Sequence, residues 1–167
     1  MMDARQKKKG ERGFTLLMAA VVATVVLAIG SAVFSIALKQ VSLSATGKNS
    51  QFAFYAADTA AECALYWDLR HQAFAASTSA PHLDEIACDA DREIDITDTD
   101  KDAVSATTRF EYSPAGLCAW VTVEKRFDDD PDVNGIVTDI RADGFSTSCD
   151  GIDDDPQALQ RSVELHY

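Results

Sequence analysis

The sequence predicts an α+β protein in which a long N-terminal helix packs on a C-terminal antiparallel sheet of about four strands. Three observations support this fold class. Residues 14–38 carry no charged side chain, residues 39–76 continue in an amphipathic pattern without proline, and residues 107–167 contain runs in which apolar and polar side chains alternate. With 167 residues, the chain has room for one modest domain and an accessory segment, since domains typically contain about 100 to 150 residues.

The uncharged run at residues 14–38 is long enough to cross a membrane. As a helix it would extend roughly 37 Å, against a hydrocarbon core about 30 Å thick. A secretory signal has a shorter apolar region, of about 7 to 15 residues. Basic side chains cluster before the run, so residues 1–13 are expected to stay in the cytoplasm while the chain after Lys39 is exported. The sequence thus predicts a single-pass membrane protein with an extracytoplasmic C-terminal domain.

Charge and cysteine content limit the partners and the compartment. The net charge is -12 although the leader is basic, so the body is strongly acidic and should not bind nucleic-acid phosphates. The four cysteines are too far apart for a CxxC metal or redox motif. In an exported domain they predict two disulfides. Of the three connectivities that four cysteines allow, we favour Cys63 with Cys88 and Cys118 with Cys149.

Residues 39–76 are predicted to continue the helix and to cover the sheet with an apolar stripe. The stripe recurs at three- and four-residue intervals and contains Phe52, Tyr55, Thr59, Cys63 and Tyr66, widened by Ala56, Ala60 and Leu69. Trp67 lies in this helix and Trp120 in a predicted strand. We expect both indoles in the core rather than exposed as adhesive aromatics.

The remaining segments are predicted from their composition and alternation. Residues 77–106 are polar and acidic, which indicates a long loop or irregular subdomain tied down by Cys88. Residues 107–167 contain four alternating runs that predict strands, namely TTRFEYS, LCAWVTVEKRF, IVTDIRADGFSTS and LQRSVELHY. The link PAG, Pro114 to Gly116, predicts a tight turn, so the first two runs should form a hairpin and the others should continue a meander.

The junction between KKKGERG and FTLLMAAVVATVVLAIG resembles the class III leader of type IV pilins and pseudopilins. This resemblance implies that a prepilin peptidase cuts after Gly13 and that Phe14 becomes the N-methylated first residue. The stretch SQFAFYAADTAAECALYWD is similar to the corresponding helix of pilin-like minor subunits. The implied organisation is a cleaved leader at 1–13, a transmembrane and assembly helix at 14–38, its amphipathic continuation at 39–76, an acidic loop region at 77–106 and a sheet at 107–167.

Met18 departs from the pattern of the family at the fifth mature position. Major pilins usually have a glutamate there, and that carboxylate is thought to pair with the N-terminal amine of a neighbouring subunit. An ionisable group in an apolar environment is costly unless it is paired, so its presence usually marks a specific role. Some minor pilins of the tip-priming complex lack it, which favours a minor pilin, while ordinary divergence in a major pilin remains the alternative. Phe14 and Met18 are therefore the predicted assembly residues.

The resemblance thus implies a non-enzymatic structural subunit of a type IV pilus, a minor pilin, that passes from the membrane into a surface filament or primes its assembly. The expected partners are other pilin subunits through the N-terminal helix, the prepilin peptidase, the pilus assembly platform, and membrane lipid before assembly. Two alternatives remain open. One is a pseudopilin of a type II secretion system, and the other is a signal-anchored, calcium-dependent adhesin whose leader is never cut.

One acidic segment, DDDPDVNGIVTDI, has the spacing of a calcium loop. Its predicted ligands are Asp130, Asp132, Asn134, the carbonyl of Ile136, and Asp139. The twelfth position holds Arg141 where an EF-hand has glutamate, so a solvated acidic loop remains the alternative. The trio Asp98, Asp100 and Asp102 has similar alternation without the glycine. The three histidines are scattered and no nucleophile or phosphate-loop motif is present, so we predict no catalytic residues, and calcium is the one candidate cofactor.

Overall fold

The computed structural model describes residues 11–77, 83–88, 93–127 and 135–167. The chain divides into two compact units, Met1–Ala45 and Thr46–Tyr167. Most of the predicted leader and the acidic segment 128–134 lie outside the described residues.

The first unit contains the N-terminal part of helix α1, which runs over Glu11–His71. Its large apolar side chains are exposed from Phe14 to Leu43. Two of its hydroxyl groups bond within the helix, that of Thr24 to the carbonyl of Val21 at 2.8 Å and that of Ser31 to the carbonyl of Ala28 at 2.9 Å. By length and composition this helix can cross a membrane, which agrees with the expected single-pass protein.

The second unit contains the C-terminal part of α1, a five-stranded antiparallel sheet and a separate two-stranded ribbon. The sheet has the order β3-β4-β5-β6-β7, and β1 pairs with β2 to form the ribbon. The strands are β1 (Glu85–Ala87), β2 (Glu93–Asp95), β3 (Thr97–Lys101), β4 (Ser105–Tyr112), β5 (Cys118–Phe127), β6 (Ile136–Phe145) and β7 (Gln160–His166). The predicted α+β fold class is therefore confirmed.

The four alternating runs form β4 to β7, and the predicted hairpin joins β4 to β5 through a short 3-10 turn at Pro114–Gly116. The region predicted as a long acidic loop or an irregular subdomain, residues 77–106, contains β1, β2, β3 and the start of β4 in its described part. Strand β3 has the sequence TDTDK and is held by main-chain pairing to β4, which does not require alternating apolar side chains.

Helix α1 ends at His71, before the predicted limit at residue 76. Gln72 adopts a left-handed conformation with φ 50°, and the amides of Gln72 and Ala73 bond to the carbonyls of Asp68 and Trp67. These bonds cap the last turn and reverse the chain. The next residues return into the core, where the Phe74 ring stacks on Phe110.

An alanine face of α1, not the predicted aromatic stripe, packs on the sheet. The buried apolar residues of the helix are Ala53, Ala56, Ala57, Ala60, Ala61 and Ala64. The sheet face of the core contains Phe110, Tyr112, Val121, Val123, Ile140 and Ala142. Small side chains let the helix backbone approach the sheet closely. Of the predicted stripe, only the alanines Ala56 and Ala60 are buried.

Both predicted disulfides are present. Cys63 on α1 is bonded to Cys88 after β1, and Cys118 at the start of β5 is bonded to Cys149 before β7. The first bond fastens the ribbon region to the helix, and the second fastens a central strand to the β6–β7 connection. Each such crosslink typically contributes about 2 to 4 kcal/mol to the stability of a small domain.

Candidate functional site

The predicted assembly residues lie in the exposed apolar part of α1. Phe14 and Met18 are both more than half exposed, as are most of the large apolar side chains of the first unit. A contiguous apolar surface of this length is unstable in water and requires lipid or another protein. Met18 contributes a thioether and no carboxylate, so it has no charge to offer an N-terminal amine.

A second apolar surface lies on α1 in the second unit. We define the aromatic helix face as Phe52, Tyr55, Tyr66 and Leu69, which follow the three- and four-residue spacing of one side of a helix. Tyr55 is 61% and Tyr66 54% exposed. These side chains were predicted to pack on the sheet and instead point away from it. The face is partly bordered by charge, since the Lys48 ammonium lies 5.4 Å from the centre of the Phe52 ring.

A buried polar cluster joins the end of α1 to the sheet, and the sequence did not predict it. Asp68 is only 5% exposed. One of its carboxylate oxygens lies 2.6 Å from the Nζ atom of Lys125 on β5. The other accepts a hydrogen bond of 2.7 Å from the hydroxyl of Tyr167. Burial and the bond to Asp68 raise the pKa of Tyr167 far above its usual value, so the phenol stays protonated and donates.

The cluster is stable because the buried carboxylate of Asp68 has a charged partner and a hydrogen-bond donor beside it. The Oδ1 oxygen of Asp68 has no well-angled hydrogen bond from a described residue, but the short contact to Lys125 is an ion pair. A buried carboxylate is costly to desolvate unless a charge and hydrogen bonds compensate it. Asp68 follows the buried face of the helix, four residues after Ala64. The only sequence signal that could have revealed the cluster is an acidic residue on the apolar side of the helix.

The outer face of the sheet carries two ion-pair networks. Asp139 on β6 contacts Arg126 on β5 and His166 on β7. The hydrogen bond with His166 is the main cause that lowers the pKa of Asp139, helped by Arg126 and opposed by slight burial. On the same strand, Arg141 binds Asp143 at 3.1 Å and Glu164 at 3.2 Å.

Asp143 shows how hydrogen bonds outweigh desolvation on this face. Partial burial is the largest single influence and raises its pKa. Hydrogen bonds from Arg141, Ser162 and Gln160 together exceed that influence, so the pKa of Asp143 is lowered. The carboxylate therefore remains charged over the whole physiological range.

The predicted calcium loop lies mainly outside the described residues. This is true of Asp130, Asp132 and Asn134, while Ile136 begins β6 and Asp139 is engaged by Arg126 and His166. The calcium loop stays a prediction. Among the described residues, one group of three metal-type ligands is close together, Glu111 with Cys118 and Cys149. The two sulfurs form a disulfide, so they have no thiolate to offer a metal.

The two tryptophans differ in their surroundings. The Nε1 atom of Trp67 donates to the carbonyl of Ala87 at 2.7 Å, and the ring is partly buried against the core as expected. Trp120 was also expected in the core, but it points outward from β5 and is 46% exposed. Burial alternates from Ala119 to Arg126, and Trp120 falls between the buried residues Ala119 and Val121.

No protein-family model matches the chain, and neither a curated protein nor a solved structure matches it significantly. The functional assignment therefore depends on the chain's own residues.

Proposed function

We propose that this protein is a structural, non-enzymatic subunit of a type IV pilus, most specifically a minor pilin. It would enter the membrane through the first unit, be processed by a prepilin peptidase after Gly13, and pass into or prime a surface filament. The pseudopilin of a type II secretion system is the neighbouring alternative, since it would use the same leader and helix.

The observation that carries this proposal is the composition of α1 along its length. One helix, Glu11–His71, has an N-terminal part whose large apolar side chains are exposed and a C-terminal part whose alanine face packs on an antiparallel sheet. A simple membrane anchor needs only enough apolar residues to cross the bilayer. Here the folded unit also exposes the aromatic helix face, which an anchored monomer does not require.

The exposed apolar helix suits a subunit that exchanges lipid for protein contacts. Residues 14–38 carry no charged side chain. The helix can therefore move from lipid into contact with other helices without placing an unpaired charge in an apolar environment. Thr24 and Ser31 satisfy their hydroxyls on their own helix, so they need no partner in either environment. In the proposed mechanism the assembly platform extracts the subunit, and the helices of neighbouring subunits replace the lipid around it.

Met18 supports the minor role within this proposal. In the family a glutamate at this place pairs with the terminal amine of the adjacent subunit, and a thioether cannot form that pair. A subunit with no neighbour ahead of it loses nothing by lacking the carboxylate. We therefore propose a position at or near the tip, with few copies in each filament.

The deciding experiment measures the mass of the N-terminal peptide in membranes and in sheared surface filaments. We expect a peptide that begins with methylated Phe14, present in the filament fraction. Gly13→Val should keep the leader and remove the protein from filaments, whereas the matched change Gly10→Val should be processed normally. An uncut leader in the wild type, found only in membranes, would contradict the proposal and favour a signal-anchored binding module.

A second readout separates the pilus from the secretion alternative. If cells that lack the chain still display filaments but fail to export folded proteins, the pseudopilin is the better assignment. If they lose or shorten surface filaments while export continues, the minor pilin is supported.

A further inference from the structure

We propose that the outer face of the sheet carries a saccharide-binding site centred on Trp120. The site is a groove of about 390 Å³, which we call the Trp120 groove. Its lining includes Thr97, Arg109, Glu111, Trp120, Thr122 and Asp143. This inference goes beyond filament assembly and does not depend on it.

The indole of Trp120 is fixed in place although nearly half of it is exposed. Its Nε1 atom donates to a carboxylate oxygen of Glu111 at 3.3 Å. Its ring meets that of Phe145 edge-on, with 4.7 Å between the ring centres. Aromatic side chains of this size are normally buried, and an exposed one loses favourable apolar contact. A rigid, exposed indole is a ready surface for a ligand, because little conformational freedom is lost on binding.

The strand register places the polar groups around the indole in two rows. Glu111 on β4 and Asp143 on β6 lie directly opposite Trp120 on either side. In the next row, Arg109 lies between Thr97 on β3 and Thr122 on β5. Neighbouring strands are about 4.8 Å apart, so both rows lie within the span of one or two sugar rings. The groove volume is at the lower end of the range of small-ligand sites.

The guanidinium of Arg109 has donors that no described residue engages. Its side chain is exposed and forms no hydrogen bond or ion pair with any residue in the described part of the chain. Arg141, in the same row one strand beyond Thr122, is by contrast engaged by Asp143 and Glu164. A guanidinium offers five donors in a planar fork, so an unengaged arginine beside a fixed indole gives a ligand directional hydrogen bonds.

The signs of the charges favour a neutral polyol over an ion. An anion on the indole would meet Glu111 and Asp143, which lie directly opposite Trp120. A cation would find Asp143 already paired with Arg141 and the guanidinium of Arg109 in the next row. A purely apolar ligand would desolvate all three charged groups without replacing their hydrogen bonds. A hexose ring has an apolar C–H face for the indole and hydroxyls at its edge that both donate and accept. Carboxylates accept from those hydroxyls, the guanidinium donates to them, and the threonines do either.

The groove is open at the protein surface, so its occupant need not be a free monosaccharide. A hexose unit within a longer glycan can rest on the indole while the chain continues along the sheet. We therefore assign the Trp120 groove to neutral hexose units of a polysaccharide or glycan.

The test uses the full-length protein in a detergent without a sugar headgroup. The probes are immobilised neutral glucans, galactans, mannans and chitin oligosaccharides, with uronic-acid polymers and oligolysine as charged comparisons. We expect at least one neutral glycan to bind. Trp120→Ala should weaken that binding tenfold or more, Trp120→Phe should weaken it less, and Arg109→Gln should also reduce it. Tyr55→Ala removes another exposed aromatic side chain, on helix α1, and should bind as the wild type.

Two results would overturn the assignment. One is that no neutral glycan binds the wild type more tightly than it binds Trp120→Ala. The other is that only oligolysine or only uronic-acid polymers show a dependence on Trp120, since this would make the groove an ion site. Trp120→Phe retains an aromatic ring against Phe145, so its circular dichroism and binding together separate loss of the ligand surface from loss of the fold.

Discussion

The Asp68 carboxylate couples the end of helix α1 to the sheet through two side chains distant in sequence. Lys125 supplies the compensating charge from β5, and Tyr167 supplies a hydrogen bond. Both groups are almost enclosed, with Asp68 5% and Lys125 9% exposed. An ion pair of this kind fixes the position of the helix more than it adds to stability, because much of the attraction offsets desolvation.

Removing one member of this pair should be strongly destabilising. We expect Lys125→Met to lower the free energy of unfolding by about 3 to 5 kcal/mol, because it leaves the Asp68 charge buried without its partner. The double variant Asp68→Asn with Lys125→Met should be less destabilised than Lys125→Met alone. Chemical denaturation of the protein in micelles, followed by near-ultraviolet circular dichroism, measures both. A loss below about 1 kcal/mol for Lys125→Met would show that the pair is not the constraint described.

The contacts of Asp139 should make the stability of the fold depend on pH in the acidic range. The folded pKa of Asp139 lies below the unfolded value of about 3.9. The contribution of Asp139 to the free energy of unfolding is therefore fully present above the unfolded pKa and is lost as the pH falls through the folded pKa. The stability difference between the wild type and Asp139→Asn should shrink as the pH is lowered from about 5.5 towards 2.

Asp154 provides the matched control for that titration. It is exposed and has no hydrogen bond or ion pair within the described chain. Asp154→Asn should follow the wild-type unfolding curve at every pH, as measured by denaturation in a buffer series. If Asp139→Asn also kept a constant difference from the wild type, the contacts of Asp139 with His166 and Arg126 would not persist in solution.

At the scale of elements, the packing of α1 on the sheet depends on small residues from both sides. The apolar residues on the buried face of the helix are all alanines, and β6 contributes Gly144 at the point of closest approach. A Cβ atom on Gly144 would lie 2.2 Å from the carbonyl oxygen of Ala53 and 2.3 Å from the backbone nitrogen of Ala57. Both are main-chain atoms, which cannot rotate away.

Gly144→Ala should therefore force the helix away from the sheet. We expect a loss of about 3 kcal/mol or more, at the upper end for an overpacked core. The control is Gly47→Ala on α1, where an added Cβ meets nothing within 4 Å. That change should stabilise the helix by up to about 1 kcal/mol. Thermal unfolding of the two variants would contradict the packing account if Gly144→Ala melted as the wild type does.

Some elements followed from the sequence and others did not, for physical reasons. Strands β4 to β7 alternate because one face is buried, and alternation is visible in a single sequence. Strand β3 is held by its main-chain pairing and has no such signal. The side of α1 that packs on the sheet was predicted wrongly. Alanine occurs on both buried and exposed helix faces, so the large apolar side chains Tyr55 and Tyr66 were taken to mark the buried face, although they are exposed. The pairing of Asp68 with Lys125 depends on contacts that no local pattern encodes.

For the whole molecule, the exposed aromatic helix face connects the fold to the proposed function. Monomeric proteins rarely leave a row of large apolar side chains in water, and such surfaces usually mark an interface. Tyr55 and Tyr66 are more than half exposed, so most of each side chain is available to pack against another subunit. A filament would cover this face together with the apolar part of α1.

The double change Tyr55→Ser and Tyr66→Ser should therefore separate folding from assembly. Each side chain is more than half exposed, so the unfolding free energy should change by no more than about 0.5 kcal/mol for each substitution. Incorporation into sheared filaments, measured by quantitative immunoblotting against the membrane pool, should fall at least several-fold because the apolar contact with the neighbouring subunit is lost. Trp120→Ser removes an exposed aromatic side chain from the outer sheet face and should leave incorporation intact while weakening glycan binding tenfold or more. Equal incorporation of the tyrosine variant and the wild type would show that this face stays outside the subunit interface.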